Sequence, residues 1–67
     1  MKIEIYGKDG CHYCTLTKQH FERHGLAYDY IDVTADGVKA ALQERLPTGV
    51  MLKQVPQIFI DNSHIGG

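Results

Sequence analysis

The sequence has no excess of charge of either sign: seven lysines and arginines stand against eight aspartates and glutamates. A chain so balanced carries no basic stripe and no acidic tail, so nucleic acid is not an expected partner. There is also no apolar run of membrane-spanning length, and no membrane association is expected. The opening residues, Met1-Lys2-Ile3-Glu4-Ile5-Tyr6, alternate polar and apolar side chains, which excludes the apolar block of an export signal. The expected compartment is therefore the cytoplasm. Repeats, linkers and low-complexity tracts are missing, and 67 residues allow one domain, residues 1–67.

Cysteine is scarce too, with only Cys11 and Cys14. A core of this size rarely supplies more than roughly 3–5 kcal/mol net. Such domains usually need a staple, a metal or a partner. A bridge across so short a loop would remove little entropy from the unfolded chain. The pair is better explained by chemistry than by stability, and in a reducing compartment that means catalysis or metal binding.

What is present is a clear alternation of strand and helix patterns. Residues 2–6 predict a strand with Ile3 and Ile5 on one face, followed by a loop from Gly7 to Gly10. A helix is expected from Cys11 to about His24, closed by Gly25. Cys14, Thr17 and Phe21 should form its buried side, with Leu16 flanking. Residues 27–33 are rich in strand formers. Thr34 is a candidate cap for a second helix, whose apolar stripe is Val38, Ala41, Leu42 and Leu46 and which ends at Pro47 and Gly49. Gln57-Ile58-Phe59-Ile60 reads as a buried strand, Asp61-Asn62 as a tight turn and His64-Ile65 as a short return strand. The first strand–helix–strand unit should pair in parallel with a right-handed crossover. The expected fold is α/β and thioredoxin-like: a four-stranded mixed sheet with helices on its faces.

Cys11-His12-Tyr13-Cys14 falls where the first strand gives way to the first helix. At such a junction, orphan backbone N–H groups and the helix dipole favour thiolate over thiol. Lys8 adds a nearby cation. Cys11 is then the exposed nucleophile, and Cys14, one turn later, points inward as its disulfide partner. Two alternatives stand beside this: a pair of ordinary buried cysteines, or half of a zinc site. No second CxxC or CxxH completes four zinc ligands, and His20 with His24, one turn apart, reads more simply as a solvated helix face. No metal site is expected. His12, with an ordinary pKa of about 6.5, is expected to be exposed and largely neutral at cytosolic pH.

Taken together, Ile5-Tyr6, Cys11-His12-Tyr13-Cys14, Val55-Pro56-Gln57-Ile58-Phe59-Ile60 and His64-Ile65-Gly66-Gly67 resemble the glutaredoxin family, in order and at suitable spacing. The absence of tryptophan before the first cysteine agrees with glutaredoxin over thioredoxin. The resemblance implies a glutathione-dependent thiol–disulfide oxidoreductase. In it Cys11 would form the mixed disulfide with glutathione and Cys14 would resolve protein disulfides. Lys8 would contact the glycine carboxylate of glutathione, Tyr13 would line the groove, Val55 would pair its backbone with the cysteinyl part, and Pro56 would be cis. The implied cosubstrate is glutathione, and the implied partners are disulfide-bearing proteins, with ribonucleotide reductase one acceptor by family analogy. A potential around −200 to −230 mV would suit electron flow from glutathione.

Three departures from the family pattern stand out. His12 replaces the usual proline, which keeps a glutathione-ligated iron–sulfur cluster in a dimer as a less favoured alternative. The stretch from Gly49 to Pro56 is longer than usual, with Gln54 where the family has threonine, so Gln43 is only a weak candidate for a second carboxylate contact. The family also continues past Gly66-Gly67 with a polar pair and a last helix. This chain is therefore expected to be C-terminally short, with weak activity or self-association through an uncovered sheet face as alternatives.

Overall fold

A computed structural model describes residues 1–66. Its elements are β1 (Ile3–Gly7), α1 (His12–Arg23), β2 (Asp29–Asp32), α2 (Val38–Arg45), β3 (Gln57–Ile60) and β4 (Ser63–Gly66). They form one four-stranded sheet in the order β2-β1-β3-β4. β1 pairs in parallel with β2, with Ile5 opposite Tyr30, and antiparallel with β3, with Ile5 opposite Ile58. This is the α/β mixed sheet that the strand–helix alternation predicts.

Alternation along β1 and β3 sends side chains to two separate clusters, one on each sheet face. Ile3 and Ile5 pack with Phe21 of α1, joined by the partly buried Tyr28, Tyr30, Ile58 and Ile60. On the other face Phe59 packs with Val33, Leu42 and Leu46, so α2 docks there. Arg45 secures α2 further. Its guanidinium makes a two-pronged pair with the Glu4 carboxylate at 2.6 and 3.0 Å, donates to the Tyr6 hydroxyl at 2.9 Å and lies 4.0 Å from the Phe59 ring centroid.

Four local expectations are corrected. Gly7 is not loop but the buried last residue of β1. β2 is shorter than residues 27–33, because pairing begins only at Glu4–Asp29. Thr34 does not cap α2: the Asp32 carboxylate accepts from its backbone N–H at 2.8 Å and its hydroxyl at 2.7 Å. That local turn holds Thr34 outside the helix, and Gly37 occupies the cap with a left-handed φ of 78°. Ala41 and Leu16 are exposed, and Thr17 is half-buried, its hydroxyl donating to Tyr13 O at 2.8 Å.

The end of α1 follows its sequence signal. Gly25 takes φ 67° and donates to Glu22 O, while Leu26 N–H reaches Phe21 O at 3.0 Å. Those two bonds satisfy carbonyls that the helix end would leave free. At the hairpin, Asp61 and Asn62 adopt positive φ, and Ile65 is left unpaired between His64, opposite Phe59, and Gly66, opposite Ile58. No helix among the described residues is long and apolar enough to cross a membrane.

Candidate active site

The C-terminal end of β1 and the start of β3 meet at one edge of the molecule because the two strands run antiparallel. The loop after β1 brings Cys11 there as the N-cap of α1, with extended backbone and its sulfur accepting the Cys14 N–H at 3.2 Å. An N-cap is normally a small oxygen-bearing residue, since orphan N–H groups of the first turn need an acceptor. Here sulfur fills that place, and a thiolate fills it better than a thiol. The Cys14 thiol, Cys14 and Tyr13 backbone N–H groups and the Lys8 charge accordingly hold Cys11 below the ordinary thiol range, against a desolvation penalty.

Cys14 has the opposite surroundings. It is 1% exposed, and burial pushes its thiol up, reinforced by the hydrogen bond and charge of Cys11. Both thiols are free. Cys11 is half-buried where the sequence predicts exposure, because it packs against Val55. The pair is still asymmetric in the sense that sulfur exchange requires, with a less buried sulfur disposed to ionise and a buried one disposed to stay protonated.

Around Cys11 the expected residues come together. Its sulfur lies 3.9 Å from Val55 O, and the Val55–Pro56 peptide bond is cis. Val55 and Gln54 line two clefts. One, of about 270 Å³, is lined by Lys8, Thr34, Lys39, Lys53, Gln54 and Val55. The other, of about 340 Å³, is lined by Tyr13, Thr17, Gln54, Val55, Pro56 and Ile58. Tyr13 is 69% exposed, so its ring is a wall open to solvent.

Gln43 is not at this site. Its side chain donates to Val50 O and accepts from Leu52 N–H, both at 2.7 Å, so it is committed to shaping the 50–52 loop. His20 and His24 have ring centroids 4.6 Å apart, with the His24 ring nitrogen Nδ1 bonded to His20 O at 2.8 Å. Among the described residues no group of three or more His, Cys, Asp and Glu could hold a metal ion.

Sequence reasoning missed two sets of residues. Lys39 and Lys53 join Lys8 in the first cleft, which only the docking of α2 and the 50–53 loop could reveal. Tyr30, from β2, reaches beneath the cysteines. A β-carbon on Gly7 would collide with its hydroxyl and lie 2.9 Å from Cys14 Sγ. A glycine closing a strand was a signal for such a close approach.

Comparison with known proteins agrees with this geometry. The glutaredoxin family model matches residues 3–65. A glutaredoxin of Vibrio cholerae is 42% identical over the whole chain, which spans 82% of that relative. The structure of glutaredoxin 1 from Francisella tularensis, complexed with cacodylate, superposes with a TM-score of 0.79 at 34% identity, over 98% of this chain and 81% of that one. The buckwheat glutaredoxin–glutathione complex superposes with a TM-score of 0.78 at 32% identity, over 97% of this chain and 59% of that one. With this fold, this cysteine pair and these relatives, the chain belongs to the glutaredoxin family.

Proposed function

We propose that the chain reduces disulfides at the expense of glutathione, with Cys11 as the attacking thiolate and Cys14 as the resolving thiol. Family membership supports a thiol–disulfide oxidoreductase role. One observation carries the use of glutathione: a helix-capping sulfur held toward the anionic state sits beside a cleft that three lysines line.

The Cys11 sulfur donates its electron pair to the glutathionyl sulfur of a mixed disulfide. The new S–S bond joins Cys11 to glutathione, and the departing substrate sulfur takes the electrons of the broken bond and a proton from water. A second glutathione, as thiolate, attacks the glutathionyl sulfur on Cys11, releasing oxidised glutathione and the Cys11 thiolate. When the substrate is a protein disulfide, Cys14 attacks Cys11 and closes an internal bridge, which two glutathiones then reduce.

Each element of the groove has a chemical use in this scheme. Glutathione is a small peptide with two carboxylates, and Lys8, Lys39 and Lys53 offer cations for such anions. Val55 presents backbone polar groups beside Cys11, as an added strand would need. Tyr13 and Pro56 wall the second cleft. The buckwheat complex supports glutathione as the ligand class. Disulfide-bearing proteins are the proposed acceptors, ribonucleotide reductase among them by family resemblance.

The deciding experiment measures glutathione-dependent reduction of a glutathionylated peptide by the wild type and by Cys11→Ser. Loss of turnover in the variant supports the scheme. Normal turnover without Cys11 refutes it.

A further inference from the structure

A buried thiol is a poor nucleophile, and Cys14 must nevertheless become one to resolve a protein mixed disulfide. The Tyr30 hydroxyl and the Cys14 sulfur both come within 2.9 Å of the point where a β-carbon on Gly7 would sit, and the Tyr30 phenol and the Lys8 backbone N–H both favour the Cys14 anion. The register of the sheet sets Tyr30 there. It stands opposite Ile5 in the parallel pair, on the face that packs under α1, and is half-buried with Ile3, Ile5 and Phe21. Its hydroxyl donates to Lys8 O at 3.3 Å, while Lys18 Nζ of α1 lies 4.4 Å from its ring centroid. Gly7 leaves the gap through which hydroxyl and sulfur approach, since a side chain there would strike both.

We propose that the Tyr30 hydroxyl is the hydrogen-bond donor that supports Cys14 as a thiolate when that sulfur resolves a mixed disulfide on Cys11. The inference rests on the disulfide-reductase reading above and adds a residue to its second step. One hydroxyl proton serves one acceptor at a time, so the O–H turns from Lys8 O to the Cys14 sulfur as charge develops there. Cys14 gives its electron pair to Cys11 Sγ, the Cys11–substrate S–S bond breaks, and the leaving sulfur takes that bond's electrons. The proton shed by Cys14 passes through water to the leaving sulfur. Tyr30 keeps its own proton throughout. Burial and the neighbouring cysteines push its phenol up to about 12, so it donates and never acts as the base. The titratable and charged groups facing it are Cys11 and Cys14 at the first turn of α1, Lys18 further along α1, and Asp9 in the loop.

The test is Tyr30→Phe, which keeps the ring in its cluster and removes only the donor. In stopped-flow reactions with a protein disulfide, the resolving step should slow about tenfold, as loss of a hydrogen bond to a charged group predicts. Cys11 alkylation and reduction of a glutathionylated peptide should stay within about twofold, since neither uses Cys14 as nucleophile. In a Cys11→Ser background, the Cys14 titration followed by its 13Cβ shift should move upward by about one pH unit on Tyr30→Phe. Unchanged resolution, an unmoved Cys14 titration, or equal slowing of both steps would each overturn the proposal. If the wild type reduces no disulfide at all, the enzymatic reading fails, and the Cys14 titration still decides whether Tyr30 stabilises that thiolate.

Discussion

The backbone N–H of Cys14 points at Cys11 Sγ from 3.2 Å, so the second cysteine of the motif helps to ionise the first. The relation is local, made within one turn of helix, and it exists only because Cys11 stands at the cap. Reactivity of Cys11 is therefore the first quantity to measure. Iodoacetamide alkylation of the reduced protein should follow a titration whose midpoint lies below the ordinary thiol value of about 8.5. A midpoint at or above that value would remove the basis for Cys11 as nucleophile.

The two sulfurs should separate by reaction. Cys14→Ser exchanges the thiol donor to Cys11 for a hydroxyl and keeps the backbone N–H. It should retain reduction of glutathionylated peptides while losing at least about tenfold in reduction of an intramolecular protein disulfide, where escape from the mixed disulfide requires a resolving thiol. Equal loss in both assays would contradict the division of labour.

The lysine-lined cleft makes a charge prediction. Lys53→Glu places an anion beside Lys8 and Lys39 and should raise the KM for glutathione several-fold, with kcat little changed, because the interaction concerns binding and not the sulfur exchange itself. Added salt should narrow the difference between wild type and variant. A variant with unaltered KM at low ionic strength would place glutathione elsewhere.

Acid stability should depend on Glu4. Its hydrogen bond with Arg45 holds the carboxyl below its ordinary value, so folding binds fewer protons than the unfolded chain. That stabilisation is complete above the ordinary carboxylate pKa and disappears as pH falls through the lowered one. With side chains only 12% and 25% exposed, Glu4 and Arg45 form a pair shielded from water. Glu4→Gln should cost about 1–3 kcal/mol near neutrality, measured by urea unfolding, and flatten the acid limb of the stability profile. An unchanged acid limb would show that the pair does not couple protons to folding.

Leu42 is fully buried between α2 and the sheet. Leu42→Ala should cost about 2–5 kcal/mol, which rivals the whole stability expected of so small a core. Circular dichroism at room temperature should show a largely unfolded variant, and a cooperative transition near that of the wild type would mean that α2 contributes little.

Much of this was legible in the sequence because local and global signals agreed. Alternation in β1 and β3, the Gly25 stop and the cysteine pair at a strand–helix junction each act over a few residues. Thr34 misled because a cap must accept helix N–H groups with its hydroxyl oxygen, whereas here its N–H and O–H both donate to the Asp32 carboxylate, which holds it in a turn short of the helix. Lys39 and Lys53 lie fourteen positions apart and carry no periodic pattern; only the docking of α2 and the path of the following loop bring them to one cleft. Tyr30 was hidden for a related reason. A strand pattern gives the face of a side chain but not what a distant glycine permits it to reach.

The antiparallel course of β3 beside β1 has a consequence for biosynthesis. The motif that activates sulfur is complete once the first turn of α1 can form, yet its companion Val55 lies 44 residues later. During translation both thiols leave the ribosome well before Val55 does. The contact between Cys11 and Val55 is made only when the strand after Pro56 docks on β1.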